Sequence, residues 1–410
     1  MKRPPVIAAL ALAAGWLTYA TAGGTIASTL AARWGERLVR LGVGEVVSPA
    51  EFLEGRMFEA LWLTTLLLVW WLAHLWLRRW RNPLAQPRFA WLTHSVLAFL
   101  CLNLWLAQAQ RTALFWGLMW HGEQTQNLTR FDLKLVLARE EEAASKAAIM
   151  GSSQARAQID EALLNSSLAP SLRTTEFHYP GARACDILLL HDRVSKVAPK
   201  FIICYLSEDS FYSGSVTEVV PNFLTVPAFP DLIRRGGAKF IPAERIGVGL
   251  LGHVLPAFRL RDVLAQRILG PAITQIKQRQ YDTALSTNLH ERIGHRIYAI
   301  DDESRFQQRA LEDFVARAGA ARQEVILLPG QLNPILGQKL PPSVRADMIA
   351  FLRALAAKHP HVSLVEDLPV QTEQDYDDLT HVNKAAQARF TQFLAGRIEQ
   401  HLARRAAPSR

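Results

Sequence analysis

The sequence predicts an α/β protein in two parts: three N-terminal transmembrane helices, followed by a three-layer α/β/α domain on a central parallel sheet. Three observations carry this expectation. Apolar runs of about twenty residues, the length that crosses a hydrocarbon core, fall only before residue 110. Beyond residue 127, short aliphatic runs alternate with helical periodicity, which implies parallel strands covered on both faces. The composition, 50% hydrophobic and 20% charged, is too apolar for one water-soluble domain and too charged for a polytopic transporter. It suits one part in lipid and one in water.

The expected membrane anchor occupies residues 1–126, with spans at approximately 6–30, 57–77 and 89–109. Lys2 and Arg3 precede the first run; Arg78, Arg79, Arg81 and Arg88 separate the second from the third. Arginines concentrate in cytoplasmic loops, so this placement puts the amino terminus inside and everything after Ala109 outside. The 33–56 loop mixes its arginines with Glu36, Glu45, Glu51 and Glu54, which suits the far side. Trp70, Trp71, Trp76, Trp80, Trp91 and Trp105 include several expected at interface depth. The segment Phe115 to Trp120 is expected as an amphipathic piece on the outer face. The resulting localisation is a bacterial cytoplasmic (inner) membrane with the C-terminal domain periplasmic. Two alternatives stay open: Ala20-Thr21-Ala22 resembles a signal-peptide cleavage site, and the third run, ending in Gln108 and Gln110, also fits a buried helix.

The net charge of +9 does not indicate nucleic-acid binding, because the basic residues are spread along the chain and the one dense group sits between two apolar runs. No nucleic-acid partner is expected; the lipid bilayer is. Cys101, Cys185 and Cys204 form no CxxC and no Cys/His cluster, so no metal site is expected. Cys185 and Cys204 are open to either a disulfide or two buried thiols.

From residue 127 to 410 the elements follow in order. A helix over Leu133–Lys146 leads into an apolar strand, Ala147–Met150, the turn Gly151-Ser152-Ser153, and a helix over Ala155–Leu164. Thr174–Tyr179 is extended and a helix runs through Asp186–Leu190. Phe201–Leu206, Glu324–Leu328 and His361–Val365 read as further strands. Helices are expected at Arg305–Ala318, Ser343–Lys358 and Asn383–Ala403. Between residues 214 and 285 six prolines interrupt the alternation and an amphipathic helix is expected near Leu260–Lys277. This insertion fits a lid, a membrane-contacting element, a partner surface or an ordinary helical excursion.

Two short motifs carry chemistry. Ser153 lies where a strand ends and a helix begins, a turn that exposes a hydroxyl beside the N–H groups of a helix start. Serine is equally favoured there as an N-cap. Asp378-Leu379-Thr380-His381 precedes the last helix; a carboxylate three residues before a histidine can hold Nδ1–H and free Nε2 to take a serine proton. Asp375 and Asp377 are close enough to compete for that role.

A serine after the first strand and D-x-x-H before the final helix resemble the layout of the SGNH (GDSL-type) hydrolase superfamily, over roughly residues 145–400. Gly151-Ser152-Ser153 stands where that family has Gly-Asp-Ser, and this variant resembles the DltD-like, membrane-tethered acyl-transfer branch. The resemblance implies catalytic roles for Ser153, Asp378 and His381. It implies oxyanion or substrate-binding roles for Gly181, in His178-Tyr179-Pro180-Gly181, and for Asn333, in Pro329-Gly330-Gln331-Leu332-Asn333-Pro334. The third family block normally supplies an asparagine; here Leu206-Ser207-Glu208-Asp209 has none, and one missing donor costs about 10²–10³ in rate. The activity implied is transfer of an acetyl or D-alanyl group to a cell-envelope polysaccharide, without a cofactor and with a membrane-bound O-acyltransferase subunit as partner. An esterase acting on an envelope glycan and a catalytically silent assembly subunit are the alternatives.

Overall fold

Five runs of β-forming residues build one fully parallel sheet in the order β2-β1-β3-β4-β5: β1 Ser145–Gly151, β2 Leu172–His178, β3 Phe201–Leu206, β4 Glu324–Pro329 and β5 Val362–Leu364. The expected α/β class and parallel sheet are therefore present. The computed structural model describes residues 87–120, 125–141, 145–168, 172–212, 219–269 and 298–406, with scattered positions between 14 and 71. The chain divides into two compact units, Met1–Val136 with Leu255–Leu269, and Leu137–Val254 with Gly270–Arg410. The sheet lies in the second.

Alternate residues of a strand face opposite sides, and here both sides are buried. Ala147 and Ile149 of β1, Phe201, Ile203 and Tyr205 of β3, and Ile326 and Leu328 of β4 share one core. That core also takes residues from α1 (Ser153–Gln158), α2 (Glu161–Ser167) and α6 (Lys384–Ala406). The opposite face is covered by α3 (Ala184–Val194), α4 (Asp302–Ala320) and α5 (Pro342–Lys358). Strand order reverses between β1 and β3, the two strands on either side of the topological switch. In open parallel sheets the crevice at the carboxyl ends of such strands is where ligands bind.

Several boundaries differ from expectation for local reasons. The helix anticipated over Ala155–Leu164 is two helices, because Asp160 caps the second by accepting from Leu163 N at 3.0 Å. The helix anticipated over Leu133–Lys146 runs from Asn127 to Glu140, and Ser145 and Lys146 instead begin β1. In the insertion, Val219–Phe223 packs on Ala243–Val254 and on α3; the expected helix near Leu260–Lys277 is found as Pro256–Arg259 and Arg261–Leu269, with residues 270–277 outside those described. Cys185 and Cys204 are buried free thiols.

The three transmembrane helices are not supported. Among the described residues no helix is long and apolar enough to cross a membrane; the run at 57–77 lies largely outside those residues, and the run at 6–30 is described only in part. The third run forms the helix Pro87–Ala109. Its polar positions work as packing groups: buried Asn103 accepts from Ala257 N at 2.9 Å, and Leu106 and Ala109 are buried on the same side. In this unit Arg259 donates to Asp132 at 2.5 Å and to Gln110 at 3.0 Å, with the Arg259 and Asp132 side chains almost fully enclosed. Phe115, Trp116 and Leu118, expected on an outer face, are buried in a short helix capped by Thr112.

Candidate active site

The carboxyl end of β1 is built for close approach. A Cβ on Gly151 would stand 2.6 Å from Ala155 Cβ and 2.9 Å from Tyr205 O, so only glycine lets α1 turn directly back onto β1 and β3. The two serines that follow divide the work. Ser152 is the N-cap, its Oγ accepting from Gln154 N at 3.2 Å. Ser153, the first helical residue, is left with its hydroxyl facing His381, and Nε2 lies 2.9 Å from Oγ.

Asp378 and His381 meet, though not on a helical turn. Residues 376–382 form a loop closed by an antiparallel bridge between Tyr376 and Val382. One carboxylate oxygen of Asp378, Oδ1, accepts from Thr380 N and from His381 N, both at 2.7 Å. Oδ2 holds His381 Nδ1 at 2.7 Å. Partial burial works to raise the Asp378 pKa, but the hydrogen bonds from His381 and Thr380 and the neighbouring imidazole outweigh it and hold it at about 2. The competing carboxylates are placed elsewhere: Asp375 accepts from Thr372 N and pairs with Arg389, while Asp377 lies exposed on the cleft wall.

Gly181 sits in a turn just beyond β2, at φ +69°, a left-handed conformation that glycine adopts without strain. Tyr179 N donates to Gly151 O at 3.0 Å, which ties this turn to the end of β1. Asn333 stands against the Asp378 loop. It is buried; its Oδ1 accepts from Ile335 N at 3.0 Å and its Nδ2 donates to Asp378 O at 3.0 Å. Its N–H also reaches Leu379 O at 3.2 Å. Asn333 thus holds the Asp378 loop through one Nδ2–H and caps the following helix through Oδ1. At the third block Ser207 N donates to Ser210 Oγ, and Glu208 is enclosed against Arg345 at 3.0 Å. Burial pushes the Glu208 carboxyl up and Arg345 pulls it back in part. Asp209 accepts from Gln154 Nε2 at 2.7 Å and from Tyr298, anchoring the residue next to Ser153.

Ser153 and His381 open into a cleft of 310 Å³ lined also by Arg156, Ala157, Asp377, Val382, Lys384 and Gln387. Arg156, Lys384 and Gln387 escaped the sequence reading. Arg156 stands one helical turn after Ser153 and Lys384 opens the helix three residues after His381, and that closeness in sequence was the available signal. None of the described residues 219–254 of the insertion lines this cleft. Among the described residues no cluster of His, Cys, Asp or Glu could hold a metal ion.

No family model and no curated protein matches the chain. Among solved structures, the chain is similar to LAE5, an α/β hydrolase enzyme from the metagenome of Lake Arreo, Spain, at 16% identity and a TM-score of 0.32. The match covers 62% of this chain and 95% of that one. A likeness this distant says nothing about the reaction. What the chain shows by itself is a serine, a histidine and a carboxylate in hydrogen-bonded series at the switch point of a parallel sheet.

Proposed function

We propose that the protein transfers acyl groups by serine chemistry. Ser153 Oγ attacks the ester carbonyl as its proton passes to His381 Nε2. The tetrahedral intermediate expels the donor alcohol, which takes that proton from His381, and leaves an acyl ester on Ser153. An incoming hydroxyl then gives its proton to His381 and attacks the acyl carbonyl, and as the acyl group leaves with it His381 returns the proton to Ser153 Oγ. Asp378 holds the imidazole in the Nδ1–H tautomer and stabilises the imidazolium. The observation that carries this reading is the unbroken series Ser153 Oγ, His381 Nε2, His381 Nδ1 and Asp378 Oδ2 at 2.9 and 2.7 Å. A silent assembly subunit would have no need of that geometry.

The resemblance to the DltD-like branch supports the finer reading: an acetyl or D-alanyl group, a cell-envelope polysaccharide as acceptor, an extracytoplasmic site and a membrane-bound O-acyltransferase subunit as donor. Hydrolysis is the second reading. It is favoured by the openness of the cleft, where His381 keeps 36% of its side-chain exposure and water can reach the acyl-enzyme.

A fluorophosphonate probe tests the core of the proposal. Ser153 is expected to label, with labelling lost in Ser153→Ala and His381→Ala. Undiminished labelling in Ser153→Ala would sink the assignment. Release of acetate from p-nitrophenyl acetate without a glycan acceptor favours the esterase; transfer only on adding acceptor favours the transferase.

A further inference from the structure

The loop that carries Asp378 and His381 has two ends. Its far end runs into α6; its near end, Tyr376, is reached by a line of hydrogen bonds that starts inside the sheet, at Tyr205. Tyr205 lies in β3 and is 2% exposed, yet its hydroxyl uses both of its bonding roles. It donates to Gln158 Oε1 at 3.2 Å, on the helix that Ser153 begins, and accepts from Gln331 N at 3.1 Å, just beyond β4. The Gln331 side chain carries the line on: Nε2 donates to Pro369 O at 3.2 Å and Oε1 accepts from Gln371 N at 3.3 Å. Gln371 Oε1 accepts in turn from Tyr376 Oη at 2.6 Å. Tyr376 then pairs with Val382 and closes the loop around the Asp378–His381 pair.

The surrounding backbone is fitted to this hydroxyl. A Cβ on Gly330 would stand 2.5 Å from Tyr205 Cε1, so the ring lies directly against the chain as it leaves β4. Gly330 N donates to Leu206 O at 2.6 Å, while Arg345 of α5 donates to Gly330 O and, at 3.1 Å, to Pro329 O. Arg345 is held in its turn by buried Glu208 at 3.0 Å. The Gly330–Gln331 peptide is thereby presented to Tyr205 in one orientation. On the other side Gln158 is 2% exposed and its Nε2 has no partner among the described residues, so Tyr205 supplies the hydrogen bond that its side chain makes. A phenylalanine would fill the same space in the core without burying any polar group. Buried polar networks of this kind fix one arrangement of the elements they join.

We infer that Tyr205 is a positioning residue for the reaction: its hydroxyl ties the helix that begins at Ser153 to the loop that holds Asp378 and His381. This role rests on the acyl-transfer reading and deepens it. α6 secures the loop beyond His381, and the line from Tyr205 secures it at Tyr376, so the imidazole is held from both ends of its loop.

Tyr205→Phe removes the hydroxyl and keeps the ring against Gly330. In the full-length protein, kcat for p-nitrophenyl acetate is expected to fall about tenfold with KM changed less than about twofold, because the reacting groups shift while the cleft stays intact. The melting temperature should drop by about 3–8 °C, since two buried groups lose their partner. Phe314→Leu, in α4 on the opposite face of the sheet, serves as a destabilised control with kcat unchanged. Gln331→Met breaks the same line one step further on, so the double variant should lose no more kcat than either single one. The low-field proton NMR signal of His381 Nδ1–H on Asp378, identified by its absence in His381→Ala, reads the loop without turnover. It should broaden in Tyr205→Phe and stay sharp in Phe314→Leu. A Tyr205→Phe kcat within about twofold of wild type overturns the positioning role, as does an equal loss in Phe314→Leu or a sharp NMR signal in Tyr205→Phe. Additive losses in the double variant overturn it too. Absent fluorophosphonate labelling of the wild type defeats the acyl-transfer reading, whereas intact labelling with any of those results defeats only the role of Tyr205.

Discussion

Replacing Asp378 by asparagine tests the electrostatic logic of the site with almost no change of shape. Oδ1 sits where Thr380 N–H and His381 N–H converge, both at 2.7 Å. Only an oxygen is tolerated there, so the asparagine carbonyl must take that place and its NH2 must turn towards His381 Nδ1. Nδ1 then accepts instead of donating, and the imidazole proton moves to Nε2, the atom 2.9 Å from Ser153 Oγ. A protonated Nε2 cannot remove the serine proton. The expected loss is about 10⁴ in kcat, the size of a tautomer reversal in a Ser-His-Asp site, or about 5.4 kcal/mol of transition-state stabilisation. The fold should hardly notice. Asp378 keeps about a third of its side-chain exposure, so exchanging a charged acceptor for a neutral one costs under about 1 kcal/mol after screening. The assay pairs steady-state p-nitrophenyl acetate turnover with thermal melting. The depressed Asp378 pKa adds a signature: its folded value of about 2 lies below the unfolded one, so its contribution to stability is present above about pH 4 and fades as pH falls towards 2. Asp378→Asn should lack that increment of acid sensitivity. A folded variant that retains more than a tenth of wild-type kcat would refute the tautomer argument.

Two further substitutions probe how the site is held. Gly151→Ala places a methyl group 2.6 Å from Ala155 Cβ and 2.9 Å from Tyr205 O. It should lower stability by about 1–3 kcal/mol as α1 is pushed off β1; urea unfolding with no shift in midpoint would show that the turn gives way freely. Asn333→Ala removes both the Ile335 cap and the donor to Asp378 O, and about 1–2 kcal/mol of stability is expected to go with them. Because Asn333 acts through the loop, kcat should fall about tenfold with KM little changed, and Asn333→Asp, which keeps the cap alone, should recover stability without recovering kcat; equal kcat in all three proteins would remove Asn333 from the positioning role.

The parallel sheet was legible because its signals are local. Phe201–Leu206 is a six-residue aliphatic and aromatic run, and the structure gives β3 those same bounds, buried at every position. The residues of the site were legible as types in order, since Gly-Ser-Ser after a strand and Asp-x-x-His before a helix are short, continuous patterns. How they are held was not. The match to Gly-Asp-Ser singled out Ser153 over Ser152 but gave no physical reason for the division; that depends on Ala155 and Tyr205 crowding Gly151. Asp378 holds His381 through a loop rather than a helical turn, because Thr380 and His381 turn their N–H groups to its carboxylate. Asn333 was legible as a polar residue after a strand, but its hold on the Asp378 loop, 45 residues away, was not. The apolar run ending at Ala109 failed as a span for a related reason. No described helix, this one included, is long and apolar enough to cross a membrane, and its buried Asn103 accepts from Ala257 N.

The distance that matters most, Ser153 Oγ to His381 Nε2, joins residues 228 apart in sequence, and neither loop alone sets it. The nucleophile is fixed to β1 by Gly151, whereas the histidine precedes α6. What registers one against the other is a row of hydrogen bonds between α6 and the α1–α2 segment. Gln387 Nε2 binds the Arg156 and Ile159 carbonyls, and Thr391 Oγ1 accepts from Asp160 N at 2.9 Å. Below that row Phe390 and Leu394 enter the same core as Ala155 and Ile159. The polar groups set register along the helix and the apolar ones set separation from the sheet. A change in α6 packing therefore reaches the reacting pair directly. The geometry of the reacting pair is in this way controlled by one helix interface, so a substitution at Gln387 should lower kcat even though its side chain makes no hydrogen bond to the Ser153–His381 pair.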